Sequence, residues 1–315
     1  MSELLDIVDT TDIVEVEVEV EVDLSTVSPL SLDDALAQVD VLDLVLFRGS
    51  DLVSSTILGI EQIGEIVQKN KWGAVWEKIC KTLFQGRCCS QPVTLADLAG
   101  VDQNELWSHV GLIVTPRYIN IRGVTVTDAN RDKLYILEST ASGSFTDGVY
   151  NVETGTSDIC VQIRDFRKVV NGYLKQKGSH IAIAKLKNNP CTIRGKTETD
   201  AEYTARFDES KTQMLECYDA YIGRAYDGNP VSLCSAAFNC CIPRRNREAA
   251  EGGKYTASSG DKGNLFCSEV VAAIYKTFGV FGESLNPSDV SPMEFLTDQA
   301  LRINFVDELI ELPSK

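Results

Sequence analysis

The sequence predicts an α+β fold in which an antiparallel sheet packs against a short helix that begins on a cysteine. Three observations carry this. WSHVGLIVT (107–115), LYILEST (134–140), DICVQI (158–163) and SHIAIAKL (179–186) are rich in Val, Ile and Leu and are separated by turn-forming stretches, as in one antiparallel sheet. VLDLVLF (41–47) reads as a further buried strand, ended by Gly49. CSEVVAAIYKTFG (267–279) has helical periodicity and a glycine where a helix would stop.

Taken in order, IVEVEVEVEVD (13–23) alternates apolar and acidic residues. A period of two sets valines on one face of a strand and mutually repelling carboxylates on the other. This suits a low-complexity tail or sheet edge, or a strand that adds to a protein partner with a basic face. Ser28, Pro29 and Ser31 break the pattern, so 1–38 is an acidic N-terminal segment ahead of a 39–315 domain. DLVSSTILGIEQIGEIVQ (51–68) reads as helix. In 71–84, Trp72, Val75, Trp76, Ile79, Leu83 and Phe84 form a helical stripe, with Lys69, Lys71, Lys78, Lys81 and Arg87 around it. Core packing is the ordinary use of such a stripe; a lid or a membrane-surface contact is the functional one. FDESKTQMLECYDAYIG (207–223) is helical, with Met214, Cys217, Tyr218 and Tyr221 on one side. Residues 69–105 and 228–262 read as insertions.

The chain has 315 residues, 43% of them hydrophobic, and a formal net charge of −16. The charge argues against nucleic acid as a partner, because phosphate binding needs concentrated Lys and Arg. Residues 1–12 lack the features of a secretory signal, and no apolar run approaches the roughly 20 residues of a membrane span. A soluble, cytoplasmic protein is expected, with its ten cysteines as free thiols. Cys234, Cys240 and Cys241 have the wrong spacing for a zinc site, and the only imidazoles are His109 and His180. No metal or cofactor is expected.

Cys267 follows the turn-forming run SGDKGN (259–264) and opens its helix. There the positive end of the helix dipole favours a thiolate. Its stripe-mates Val271, Ile274 and Phe278 turn it toward the protein body, which fits either a nucleophile or a buried cysteine. His109 shares a strand face with Trp107, Gly111 and Ile113, and the small residues around it suit a crowded site better than those around His180. Glu138 is a carboxylate in an otherwise apolar strand, which calls for a partner. A hairpin joining 107–115 to 134–140 would set it beside His109, as an imidazole base requires.

In this order HVGLIV, ILEST, GRAYD and LFCSEVVAAIY resemble the circularly permuted branch of the NlpC-type papain-like superfamily. That branch includes YiiX-like bacterial proteins, a poxvirus relative and, more distantly, lecithin retinol acyltransferase. The opening DLVLFRGSDLVSSTI is similar to the branch's first strand. The resemblance implies a permuted papain-like fold with Cys267 as nucleophile, His109 as base and Glu138 as its orienting partner. It also implies that Tyr226 approaches the oxyanion or the cysteine. The implied activity is a thiol hydrolase (peptidase or amidase) or an acyltransferase, acting on a peptide or an acyl lipid through a thioester. The alternative is a catalytically idle papain-like protein that binds partners, for example in a virion. The chain departs from the pattern at Leu42–Asp43, where the branch favours glycine, and in the long stretch between Tyr226 and Cys267.

Overall fold

A computed structural model describes residues 31–48, 107–140, 147–191, 197–226 and 265–313. In chain order the elements are α1 (Leu32–Leu36), β1 (Leu44–Arg48), β2 (His109–Val114), β3 (Tyr135–Thr140), β4 (Cys160–Asp165), α2 (Phe166–Tyr173), β5 (His180–Ala184), α3 (Asp200–Tyr221), α4 (Cys267–Thr277), α5 (Glu294–Thr297), α6 (Gln299–Arg302) and β6 (Ile310–Glu311). The strands form one antiparallel sheet in the order β4-β3-β2-β1-β5-β6. Phe47 lies opposite His109 in the β1–β2 pair, and Glu138 lies opposite Gln162 in the β3–β4 pair.

The strands are apolar on both faces, so both faces are covered. Leu44, Leu46, Val110, Leu112, Leu137, Val161 and Ile163 pack in one cluster with Val270, Val271 and Ile274 of α4 and Met214 and Tyr218 of α3. Val45, Phe47, Ile113, Ile136, Ile181 and Ile183 face the other way. They are covered by Phe166, Val169, Val170 and Tyr173 of α2 and by Ala35 and Leu36 of α1. Helix α1 therefore packs on the sheet, although it precedes the boundary read at residue 38.

Every residue of α4 from Cys267 to Tyr275 is buried. Tyr275 anchors its far end among Phe281, Phe295 and Phe305 and donates its hydroxyl hydrogen bond to the Leu42 carbonyl at 2.8 Å. Gly279, at φ +67°, closes the helix as expected. Its N–H reaches the Lys276 carbonyl and the Val280 N–H reaches the Tyr275 carbonyl, a Schellman pairing.

Leu42 has φ +67°, a left-handed conformation that costs a branched residue about 1–2 kcal/mol. That is the physical reason a glycine would suit the position. The conformation is held by the hydrogen bond from the Leu42 N–H to Ile113 and the one its carbonyl accepts from Tyr275, and by complete burial of the side chain. The tight turn it makes delays the first strand to Leu44. The Asp43 carboxylate caps the same turn, accepting from the Asp40 and Leu186 N–H groups.

Other boundaries differ as well. Thr199 and Glu202 form a capping box that starts α3 earlier than the apolar stripe suggested. The fourth strand is displaced to Cys160–Asp165, and α2 follows it without a loop, capped by the Asp165 carboxylate. The readings for 13–23, 51–68, 71–84 and 228–262 lie outside the described residues. Among the described residues no helix is long and apolar enough to cross a membrane.

Candidate active site

Cys267 is held from the residues before it. The Leu265 N–H bonds the Ala225 carbonyl at 3.0 Å, and the Leu265 carbonyl accepts from the buried Ser139 hydroxyl at 2.6 Å. Phe266 is extended, at φ −76° and ψ 165°, and the helix begins on Cys267. The first N–H groups of a helix have no intrahelical acceptor, so the Cys267 amide is a donor beside its own sulfur. The side chain is buried, at 4% exposure.

His109 begins β2, opposite Phe47, with the two rings 5.3 Å apart. Its Nε2 lies 2.6 Å from Glu138 Oε2, and the Cys267 sulfur is near enough to strengthen the ring's hold on a proton. With Nε2 committed to the carboxylate, Nδ1 is the nitrogen left for the sulfur. Strand alternation sets His109, Gly111 and Ile113 on the α2 face, whereas Cys267 belongs to the cluster on the α4 face. His109 lies at the start of β2, ahead of the first β2–β3 pair at Leu112–Leu137. Trp107, expected on the His109 face, joins the α4-side cluster, because it precedes the strand.

Glu138 is completely buried. The sequence reading missed what sits behind it: Arg164 Nε donates to Glu138 Oε1 at 2.5 Å, and Arg164 Nη1 donates to Asp147 Oδ2 at 2.5 Å. The signal was present in DICVQIRD. Period two puts Arg164 on the same face as Gln162, which pairs with Glu138. Asp147 offered no comparable signal. It is placed by contact with α2, where Gly172 leaves room for the Asp147 backbone.

The electrostatics follow from this line of groups. Burial of the His109 ring favours its neutral form, but the Cys267 sulfur and Glu138 outweigh it and raise the imidazole to about 10. Burial likewise opposes ionisation of Glu138. Arg164 and His109 together overcome that and hold the carboxyl at about 2. Asp147 goes the other way: burial raises it, Arg164 and the Val149 N–H work against that rise, and the charge on Glu138 adds to it.

Tyr226 stands in a short extended segment beside β4. It forms a parallel bridge with Leu265, and its ring is edge-on to Phe266 at 6.4 Å. It thus neighbours the residues that lead into Cys267. His180 is exposed and lies opposite Arg48 at the β1–β5 pair, apart from the other three. The structure therefore sets Glu138 in hydrogen-bond contact with His109 and brings Cys267 near the same ring, and it leaves His180 apart from them. Among the described residues no group of His, Cys, Asp and Glu is arranged to hold a metal ion.

Against known proteins, no family model matches the chain, and the search of curated proteins returned no match.

Proposed function

We propose that this protein is a cysteine hydrolase or acyltransferase of the permuted papain-like type, with Cys267 as nucleophile, His109 as acid–base and Glu138 as its orienting carboxylate. The observation that carries the reading is the His109 ring, held at 2.6 Å by a buried carboxylate and lying near the Cys267 sulfur. A base for a thiol needs the thiol on one nitrogen and an orienting group on the other.

The Cys267 sulfur attacks the carbonyl carbon of an ester or amide. The carbonyl electron pair moves to oxygen, within reach of a donor such as the Cys267 N–H, with Tyr226 as the second candidate. Collapse of the tetrahedral intermediate expels the alcohol or amine, which takes the proton carried by His109. The thioester is then attacked by water or an acceptor alcohol or amine. His109 removes the proton from that nucleophile, and the sulfur leaves. No cofactor enters the scheme.

An activated ester such as p-nitrophenyl acetate tests it. An acetyl thioester is expected on Cys267 by peptide mass spectrometry, labile to hydroxylamine and missing in Cys267→Ala. A folded parent that forms no adduct would leave the idle, partner-binding reading instead.

A further inference from the structure

Resting on that reading, we infer that Arg164, clamped by Asp147, is a positioning residue that keeps the His109–Glu138 pair in its charged form. Glu138 is completely buried, so bulk solvent does not stabilise its charge. Its two oxygens are divided: Oε2 meets His109 Nε2 and Oε1 accepts from Arg164 Nε. The guanidinium is itself 4% exposed and uses Nη1 on the Asp147 carboxylate, whose side chain is 1% exposed.

The clamp is built into the backbone. The Val149 N–H donates to Asp147 Oδ1 at 2.8 Å, which turns the carboxylate. A Cβ on Gly172 would lie 2.2 Å from the Asp147 carbonyl oxygen. A glycine in α2 is therefore what lets this segment sit close enough to reach Arg164. A planar fork serves this better than an ammonium, because its separate N–H groups address two carboxylates in fixed directions.

The chemical consequence follows from conservation of one proton. Glu138 and His109 share it either as carboxylate and imidazolium or as carboxylic acid and neutral imidazole. Burial favours the neutral pair, since each charge loses its solvation. The fixed positive charge of Arg164 on the far oxygen reverses that preference and leaves the proton on the ring. The Cys267 sulfur then faces an imidazolium. Without Arg164, the proton returns to Glu138 and the sulfur faces a neutral ring.

The test uses the full chain with His180→Ala, so that His109 is its one histidine. Nitrogen chemical shifts of the ring report whether it is imidazolium, and iodoacetamide reports Cys267. In the parent, an imidazolium and rapid Cys267 alkylation are expected at pH 7. R164M should lose the imidazolium signature at that pH, and its Cys267 alkylation should slow at least about tenfold, as expected when a cation beside a reactive cysteine is removed. R164K retains a charge without the fork and should fall between the two.

A folded R164M with parental shifts and rate overturns the proposal and leaves the reading of the site intact. If R164M does not fold, R164Q decides, since it keeps a polar side chain without the charge, and parental shifts and rate there overturn it equally. If instead the parent alkylates Cys267 no faster than Cys217, or Cys267→Ala leaves the His109 titration unmoved, the reading of the site falls and this inference with it.

Discussion

Gly111 and Ile136 face each other across β2 and β3 so closely that a Cβ on Gly111 would lie 2.5 Å from Ile136 Cδ1 and 3.3 Å from Glu138 Cβ. Ile136 is completely buried in the α2-side cluster, so its side chain cannot swing into solvent. Gly111→Ala should destabilise the fold by about 1–3 kcal/mol, the ordinary range for overpacking. Because the same Cβ crowds Glu138, it should also slow Cys267 alkylation. Chemical denaturation and peptide-mapped labelling check the two effects separately, and an unchanged denaturation midpoint would count against this strand register.

The two histidines should behave differently. His109→Ala removes the partner of the sulfur and is expected to abolish preferential labelling of Cys267. His180→Ala should leave it nearly intact, since His180 is exposed on β5. Glu138→Gln should cost less than His109→Ala, because it disturbs the orientation and charge of a base that remains present. In the parent, Cys160, Cys191 and Cys217 should lag, since burial raises them to about 11, 12 and 11. Mapping in which His180→Ala proved the damaging change would reassign the base.

The His109–Glu138 pair should leave a signature in stability against pH. His109 is raised from 6.5 to about 10, so its contribution is complete below 6.5 and is lost as pH rises toward 10. Glu138 is lowered from 4.5 to about 2, so its contribution is complete above 4.5 and is lost as pH falls toward 2. Asp43 and Glu294, raised by burial to about 6 and 7, also lose stability as pH rises, in the sense of His109 and opposite to Glu138, so the raw profile is composite. The difference in melting temperature between parent and Glu138→Gln isolates the pair. It should be widest between pH 4.5 and 6.5 and narrow on both sides; a difference that stays flat across pH would exclude an ion pair.

The legible part of the fold was the part with a strong local period. HVGLIV and YILEST announce themselves as strands, and the antiparallel pairing that places Glu138 near His109 follows from adjacency. The start of the Cys267 helix was legible because a turn-forming run precedes it and a glycine ends it. Arg164 was readable in principle from its alternation with Gln162, but a lone arginine in a strand is ordinarily a solvated edge residue. Asp147 and Gly172 become partners only through the packing of a loop on α2, which no window of sequence contains. The positive φ of Leu42 was equally hidden, since a leucine there reads as strand until the turn is seen. That Cys267 and His109 approach from opposite layers of the sheet also depends on tertiary packing.

Ser139 offers the last test, because it touches the site through backbone alone. Its hydroxyl donates to the Leu265 carbonyl at 2.6 Å, joining β3 to the residue two before Cys267. Both residues are buried, out of reach of bulk solvent. Ser139→Ala should therefore destabilise the protein by about 1–3 kcal/mol, the cost of leaving a buried acceptor unmet. The change also frees the segment that sets where the helix starts. Cys267 should then label more slowly, while the His109 ring keeps its protonation, because Glu138 and Arg164 are untouched. Ser139→Thr keeps the hydroxyl and should restore much of the rate. If Ser139→Ala moved the His109 titration as far as R164M does, the division between holding the sulfur and charging the ring would be wrong.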